Sequence, residues 1–255
     1  MSVLSIYAAR LGEKPIYATR PDVPHDAAST VKAAVLAALY RSGSDLNTTV
    51  LVHDRFLSRA NGQSFANSLA WDSDPIPWQR LGGRASLWWL ADRMITSSSN
   101  LATNLCLEHI GLDPVSHIFG SAGVAANHMD RFIEDYPARD LGLTNQVTAR
   151  GLATLFLLLR PDELSVLARN RFRGDLPTGL PPDTPIAFKN GWFPGLRHSV
   201  GLITPSDSPP YALAICYTGP IATGRPHHDP AASLLARIST AIWHKRHDSI
   251  GIPAR

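Results

Sequence analysis

The chain keeps its strand-forming segments at its two ends. Near the start, VLSIYAA (residues 3–9) and IYAT (16–19) are apolar, rich in β-branched and aromatic residues, and separated by the turn-like RLGEKP. Near the end come PIAFKNGW (185–192), HSVGLIT (198–204) and YALAICYTG (211–219). Between them the pattern is helical. ASLWWLADRMITSS carries apolar residues at 87, 88, 90, 91, 94 and 95. NLATNLCLEHIG follows, with Gly111 placed to cap its end. TARGLATLFLLLR then runs to Pro161, which is expected to end it. DPAASLLARISTAIWHKR closes the chain as a helix, with Asp229 as cap and Pro230 in the first turn. Strands at both ends can join one antiparallel sheet only if the helical block is inserted between them. The expected fold is therefore α+β, one domain over 1–255. Its α/β lobe takes roughly residues 1–40 and 186–255, its all-helical lobe roughly residues 41–185, and a cleft between such lobes is a natural site.

Bulk properties narrow the function classes. Apolar residues make up 44% of the 255 and charged residues 18%, enough for a core and too ordered a mixture for a disordered chain. The net charge of +3 is scattered. The densest basic stretch, Arg169-Asn170-Arg171-Phe172-Arg173, is too short for a nucleic-acid face, so no nucleic-acid partner is expected. No apolar run approaches the roughly 18 residues of a membrane span, so no membrane partner is expected either. MSVLSIYAARLGEK lacks the layout of a signal peptide, which makes the cytoplasm the expected location, or export if the chain is truncated. Cys106 and Cys216 show no pairing rhythm and are expected as free thiols. His227-His228-Asp229 are adjacent and unsuited to converge on a metal, so neither metal nor cofactor is expected. The expected partner is a small molecule, and the oligomeric state is left open.

Three short stretches carry chemistry. AASTVK places Ser29 at the start of an apolar helix and Lys32 one turn on, on the same face. Read alone, that is a Ser cap and a solvated Lys; a Ser at a helix start is also well placed for nucleophilic attack, because free N–H groups there stabilise an oxyanion. Lys32 serves as base only if burial or a neighbouring cation lowers its pKa. Ser97-Ser98-Ser99-Asn100 falls at a helix junction, as a cap or as a Ser and an Asn two apart facing a cleft. Lys189-Asn190-Gly191 interrupts a β-run with a Lys and a Gly, either a tight bend or an edge strand on which a substrate lies. Lysine is scarce here, at positions 14, 32, 189 and 245 only, and two of the four fall in these stretches.

The three together, in the order SxxK, SxN and KxG, resemble the penicilloyl-serine transferases and most closely the class A β-lactamases. The resemblance spans nearly the whole chain, from VLSIYAARLGEKPIYATRPDVPHDAASTVKAAVLAALY through MITSSSNLATNLCLEHIG and NQVTARGLATLFLLL to PIAFKNGWFPGLRHSVGLI. It implies a class A β-lactamase-like fold, an antiparallel sheet flanked by helices with an inserted all-helical lobe. It implies Ser29 as acylated nucleophile, Lys32 as general base and Ser98 as proton donor to the leaving group. Asn100 holds Lys32 and a substrate carbonyl, Lys189 lowers the pKa of its neighbours and attracts a substrate carboxylate, and the N–H groups of Ser29 and Trp192 form an oxyanion hole. Asn190, Gly191, Trp192 and Arg197 are the implied substrate contacts, Arg197 as a carboxylate clamp.

The chain departs from that family in places. Ser99 stands where class A enzymes have Asp, and Asn190 where a hydroxyl normally meets a substrate carboxylate. In MDRFIEDYPARD, the residue after Asp130-Arg131-Phe132 is Ile133 rather than the family's water-holding Glu. Glu134 or Asp135 is left to take that role. The expected function is a serine hydrolase that forms an acyl-enzyme on Ser29 with a β-lactam, amide or ester. The alternatives are a cytoplasmic acyltransferase or esterase, or a penicillin-binding sensor that turns over poorly. Of the tryptophans, Trp88 and Trp89 are expected in the core and Trp192 at the cleft.

Overall fold

The computed structural model describes residues 2–124 and 126–248. β1 (Val3–Ala9) pairs with β2 (Tyr17–Thr19), and β3 (His25–Asp26) leads through a 3-10 turn, Ala28–Val31, into α1 (Lys32–Arg41). Two small ladders follow, β4 (Thr49–Leu51) with the later β7 (Arg84–Ser86), and β5 (Arg55–Leu57) with β6 (Ser64–Ala66). Next come α2 (Leu87–Thr96), α3 (Asn100–Ile110) and α4 (Asp113–Ser121). β8 (His128–Met129), α5 (Tyr136–Asp140) and β9 (Asn145–Val147) form the long middle loop. α6 (Ala149–Leu157), α7 (Pro161–Leu167), β10 (Ile186–Ile203), β11 (Tyr211–Thr223) and α8 (Pro230–His244) complete the chain.

The main sheet has the order β10-β11-β1-β2 with antiparallel neighbours, so strands from both chain ends do meet in one sheet. Side chains alternate across it with a period of two. Tyr7, Ala9, Ala212, Ala214 and Cys216 join the core shared with the helices before the sheet, while Ile6, Ala8, Leu213 and Ile215 pack with Leu235 and Ile242 of α8. Both faces are buried, which is why β1 and β11 read as near-continuous apolar runs.

β10 doubles back on itself at Pro194-Gly195. Gly195 takes φ +88°, Thr204 N donates to Pro185 O at 3.0 Å, and Gly201 lies against Ile186, Ala187 and Phe188. Its second arm pairs with β11 from Leu196 to Ile203, leaving the first arm, with Lys189-Asn190-Gly191, on the outer edge. The two strands expected at 185–192 and 198–204 are the arms of this one element.

α1 is apolar all round, and every residue from Lys32 to Leu39 is buried against α2, α3, α4 and α7. That position forces Lys32 into the interior. α3 is capped at both ends by its own sequence: Ser99 accepts from Ala102 N, and Gly111 ends the helix with φ +78°.

Several local expectations change. The inserted block is helical in bulk but also carries the short ladders above; tight turns such as Asn61-Gly62 close two- and three-residue pairs too short for a periodic signal. Pro161 opens α7 as its first residue as well as following α6, since a missing N–H is harmless there. Trp88 is half exposed, because the buried stripe of α2 runs through Leu87, Leu90, Ala91, Met94 and Ile95 and leaves position 88 outside. Cys106 and Cys216 are free, and burial pushes the Cys106 thiol up to about 12. Among the described residues no helix is long and apolar enough to cross a membrane, and no group of three or more His, Cys, Asp or Glu is placed to hold a metal.

Asp175 ties the edge of the sheet to the protein. Its Oδ2 accepts from Arg197 Nε and Nη2 at 3.3 and 3.2 Å and from Asn190 Nδ2 at 3.0 Å, and its Oδ1 accepts from Ser199 Oγ and Leu176 N. Asp175 and Arg197 are both fully buried. Asp175→Ala strands the guanidinium without its main counter-charge, a loss of about 3–5 kcal/mol. The expected result is a melting temperature lower by roughly 10 °C, and the double variant with Arg197→Met is expected to recover most of it.

Candidate active site

Ser29 lies on the 3-10 turn and not at a capping position. The residue before that turn, Ala27, makes no side-chain cap bond. Ala28 has φ +42°, and its N–H is held by Asp26 Oδ1 at 2.9 Å, which turns the chain sharply so that Ser29 stands half-buried at the cleft. The first arm of β10 presses against this turn. A Cβ added to Gly191 would lie 2.6 Å from Ser29 N and 2.9 Å from the Ala28 Cβ, so only glycine permits the approach. The N–H of Ser29 and the backbone of Gly191-Trp192 therefore face the same small volume.

One turn on, Lys32 is wholly buried. Its Nζ donates to Ser98 O at 2.7 Å, Asn100 Oδ1 at 2.8 Å, and Ser98 Oγ and Ser99 O at 3.4 Å. Lys189, also wholly buried, donates to Ser98 Oγ at 3.1 Å and to Asn190 O at 2.7 Å. Two lysine amines thus converge on one hydroxyl. Burial lowers Lys32 to about 8, against the opposing pull of Asp72, Glu134 and Asp74. Burial, then the charge of Lys32, holds Lys189 well below the ordinary lysine range, with Asp175 opposing. Ser98 adopts φ +58°, a conformation uncommon for a residue with a side chain, between α2 and α3.

The long loop brings in Glu134. Asn104 Oδ1 accepts from Ile133 N at 2.9 Å and its Nδ2 donates to Ile133 O at 2.8 Å, fixing the loop backbone. Glu134 follows with φ +66°. Its Oε1 accepts from Asn100 Nδ2 at 2.9 Å and its Oε2 from Ser68 N at 2.8 Å. Glu134, one residue later than the family pattern, reaches the site. Asp135 does not: its carboxylate accepts from Ser58 Oγ, Arg59 N and Ala138 N, anchoring the loop and capping α5. A chain of hydrogen bonds therefore runs from Lys32 through Asn100 to Glu134.

Two supporting residues were not anticipated. Asn104 lies four residues after Asn100, on the same face of α3, and that spacing was its signal. Asp72 comes from a loop without periodicity. Its Oδ2 accepts from Ser99 Oγ at 3.1 Å, Leu101 N at 2.9 Å and Trp78 Nε1 at 2.9 Å, and so supplies a carboxylate beside the position where class A enzymes carry Asp.

Two expected substrate contacts are corrected. Asn190 points away from the cleft, because successive strand residues face opposite sides. Both amide hydrogens are committed, to Phe172 O at 2.7 Å and Asp175 Oδ2 at 3.0 Å. Arg197 is wholly buried on Asp175, with Nη1 donating to Arg225 O, so it is not a carboxylate clamp. Gly191 and Trp192 remain at the site, Trp192 edge-on to Phe172 with ring centres 4.8 Å apart. The cleft extends to either side of Ser29, with a volume of about 320 Å³ towards Glu134, Arg131 and Tyr136 and about 380 Å³ towards Trp71, Phe193 and Pro194.

A sequence profile of the β-lactamase enzyme family matches residues 2–245. Solved structures match over nearly the full length. A β-lactamase from Burkholderia vietnamiensis is 17% identical with a TM-score of 0.79, covering 97% of this chain and 93% of that one. An ancestral class A β-lactamase is 20% identical with a TM-score of 0.75, covering 95% and 94%. The structure of PBP-A is 21% identical with a TM-score of 0.72, covering 96% and 91%. At these identities the likeness establishes the fold. No curated protein matches the chain.

Gly191→Ala tests the contact between the strand and the turn that carries Ser29. The added methyl group must move Ser29 by a fraction of an ångström to about 1 Å, and any reaction through Ser29 is expected to slow by roughly 100-fold. Circular dichroism is expected to show the fold retained.

Proposed function

The chain belongs to the β-lactamase enzyme family, and from that premise we propose that it hydrolyses an amide, lactam or ester through an acyl-enzyme on Ser29. The observation that carries this reading is the convergence of Lys32 and Lys189 on Ser98 Oγ, with Asn100 linking Lys32 to Glu134.

The proposed steps use those contacts and the place of Ser29 on the cleft wall beside Asn100. Ser29 Oγ attacks the carbonyl carbon while its proton passes to Lys32, whose amine is neutral in a useful fraction near neutral pH because burial disfavours the ammonium form. The N–H groups of Ser29 and Trp192 receive the developing oxyanion. The C–N or C–O bond then breaks, and the leaving atom takes the proton of Ser98, which the neighbouring lysines replace. Glu134, held by Asn100 and Ser68 N, accepts a proton from the water that attacks the acyl ester; the bond from the acyl carbon to Ser29 Oγ breaks, that proton is returned to Ser29 Oγ, and Ser29 and Glu134 are both regenerated.

The test uses a reporter penicillin and a p-nitrophenyl ester, with intact mass and product followed in time. The wild-type chain is expected to show a transient adduct and many turnovers. Ser29→Ala is expected to lose both, and a rate unchanged in that variant rules the proposal out. Glu134→Gln is expected to acylate normally and to deacylate about 100-fold or more slowly, so that the adduct accumulates. A wild-type adduct that persists as long as that of Glu134→Gln identifies a penicillin-binding protein in place of a hydrolase.

A further inference from the structure

The two sides of the cleft differ in charge. On the side of Glu134, Arg131 and Arg139 are among the lining residues, the Arg131 guanidinium donating to Leu143 O and Phe132 O. On the β10 side no Lys or Arg among the described residues lines the wall. That wall is formed chiefly by Asp72, Phe172 and Pro194 together with Trp71, Trp192 and Phe193, which border the Glu134 side as well. Trp71 and Phe193 are 68% and 41% exposed, an unusual display of aromatic surface beside a nucleophile.

The cations carried by β10 itself are turned inward, whereas Arg171, Arg173 and Arg225, which neighbour the wall residues Phe172, Gly224 and Pro226 in the chain, are exposed and do not line it. Arg197 gives Nε and Nη2 to Asp175 and Nη1 to Arg225 O. Asn190 gives both amide hydrogens to Phe172 O and Asp175 Oδ2. Lys189 is spent on Ser98 Oγ and Asn190 O. All three are fully buried, and none lines the cleft. The charged residue that does line this side is Asp72, whose Oδ2 accepts from Ser99 Oγ, Leu101 N and Trp78 Nε1. A substrate carboxylate placed here loses its water and finds no guanidinium or ammonium among the residues that line this wall.

We infer that the part of the substrate on the β10 side of Ser29 is uncharged and apolar or aromatic, so that the natural acyl donor has no free carboxylate beside its reacting bond. Such a group stacks against Trp71, Trp192 and Phe193, where its burial is favourable and no counter-charge is needed. The inference rests on the proposed acylation of Ser29 and names the class of donor that the site takes.

A matched pair of esters tests it with the full chain: the 3-carboxyphenyl and 3-carbamoylphenyl esters of phenylacetylglycine. They share the acyl group and differ in one charge on the leaving phenol. Release of the phenol and the mass of the Ser29 adduct are followed together. The carbamoyl ester is expected to acylate Ser29 faster, by about tenfold. A carboxyl ester that acylates as fast or faster overturns the inference and leaves the acyl-enzyme reading intact. No adduct with either ester overturns the acyl-enzyme reading itself, and the inference with it.

Discussion

Two lysine amines held in the interior against one serine hydroxyl set the terms for the rest of this protein. Neither amine can be charged cheaply, because burial removes its water, and the charge of Lys32 further disfavours that of Lys189. Their positions follow from the fold. α1 is apolar on every side and sits among four other helices, so a Lys in its first turn has no route to solvent. The outer arm of β10 lies against the nucleophile turn so closely that position 191 has no room for a side chain, and Lys189 is carried into the same pocket of backbone and hydroxyl groups. Ser98 sits between them in a backbone conformation that its neighbours impose. The sign of the coupling to stability is definite. An amine whose pKa is lowered by folding costs stability below its folded pKa, and that cost is relieved as pH rises from there to the unfolded value, for Lys32 from about 8 to about 10.5.

A second buried charge, Asp175, organises the edge of the sheet beside the site. Asp175 draws Asn190 and Arg197 inward, and both side chains are used up in holding the sheet edge to the body of the protein. The same interaction that stabilises the edge therefore keeps Asn190 and Arg197 away from the β10 side of the cleft. Aromatic surface remains there, and Asp72 with it.

Much of this was readable in the chain. The strand runs at both ends, the caps at Ser99, Gly111 and Asp229, and the order of the three motifs follow from local chemistry, and the structure places Ser29, Lys32, Ser98, Asn100 and Lys189 together. What was not readable depends on contacts between distant segments. Asn190 and Arg197 look like free donors until Asp175 is placed beside them, and Asp175 lies in a stretch with no periodicity. Asp72 is hidden for the same reason. Glu134 and Asp135 are adjacent carboxylates, and only the fixing of Ile133 by Asn104 decides which of them enters the site. Trp88 was misjudged because six apolar residues in one helix were read as a single buried set, whereas a stripe of five is enough to cover the face.

The scarcity of lysine makes the central claim directly measurable. With ¹³C at the ε carbon, four signals are expected, two of them from the exposed Lys14 and Lys245, which serve as references. Lys14→Arg, Lys32→Arg, Lys189→Arg and Lys245→Arg assign the signals in turn. Titration by NMR is predicted to place the midpoint of Lys32 near 8 and to hold that of Lys189 well below the ordinary lysine range. Midpoints for both at about 10.4, the value of a solvated lysine, would contradict the account.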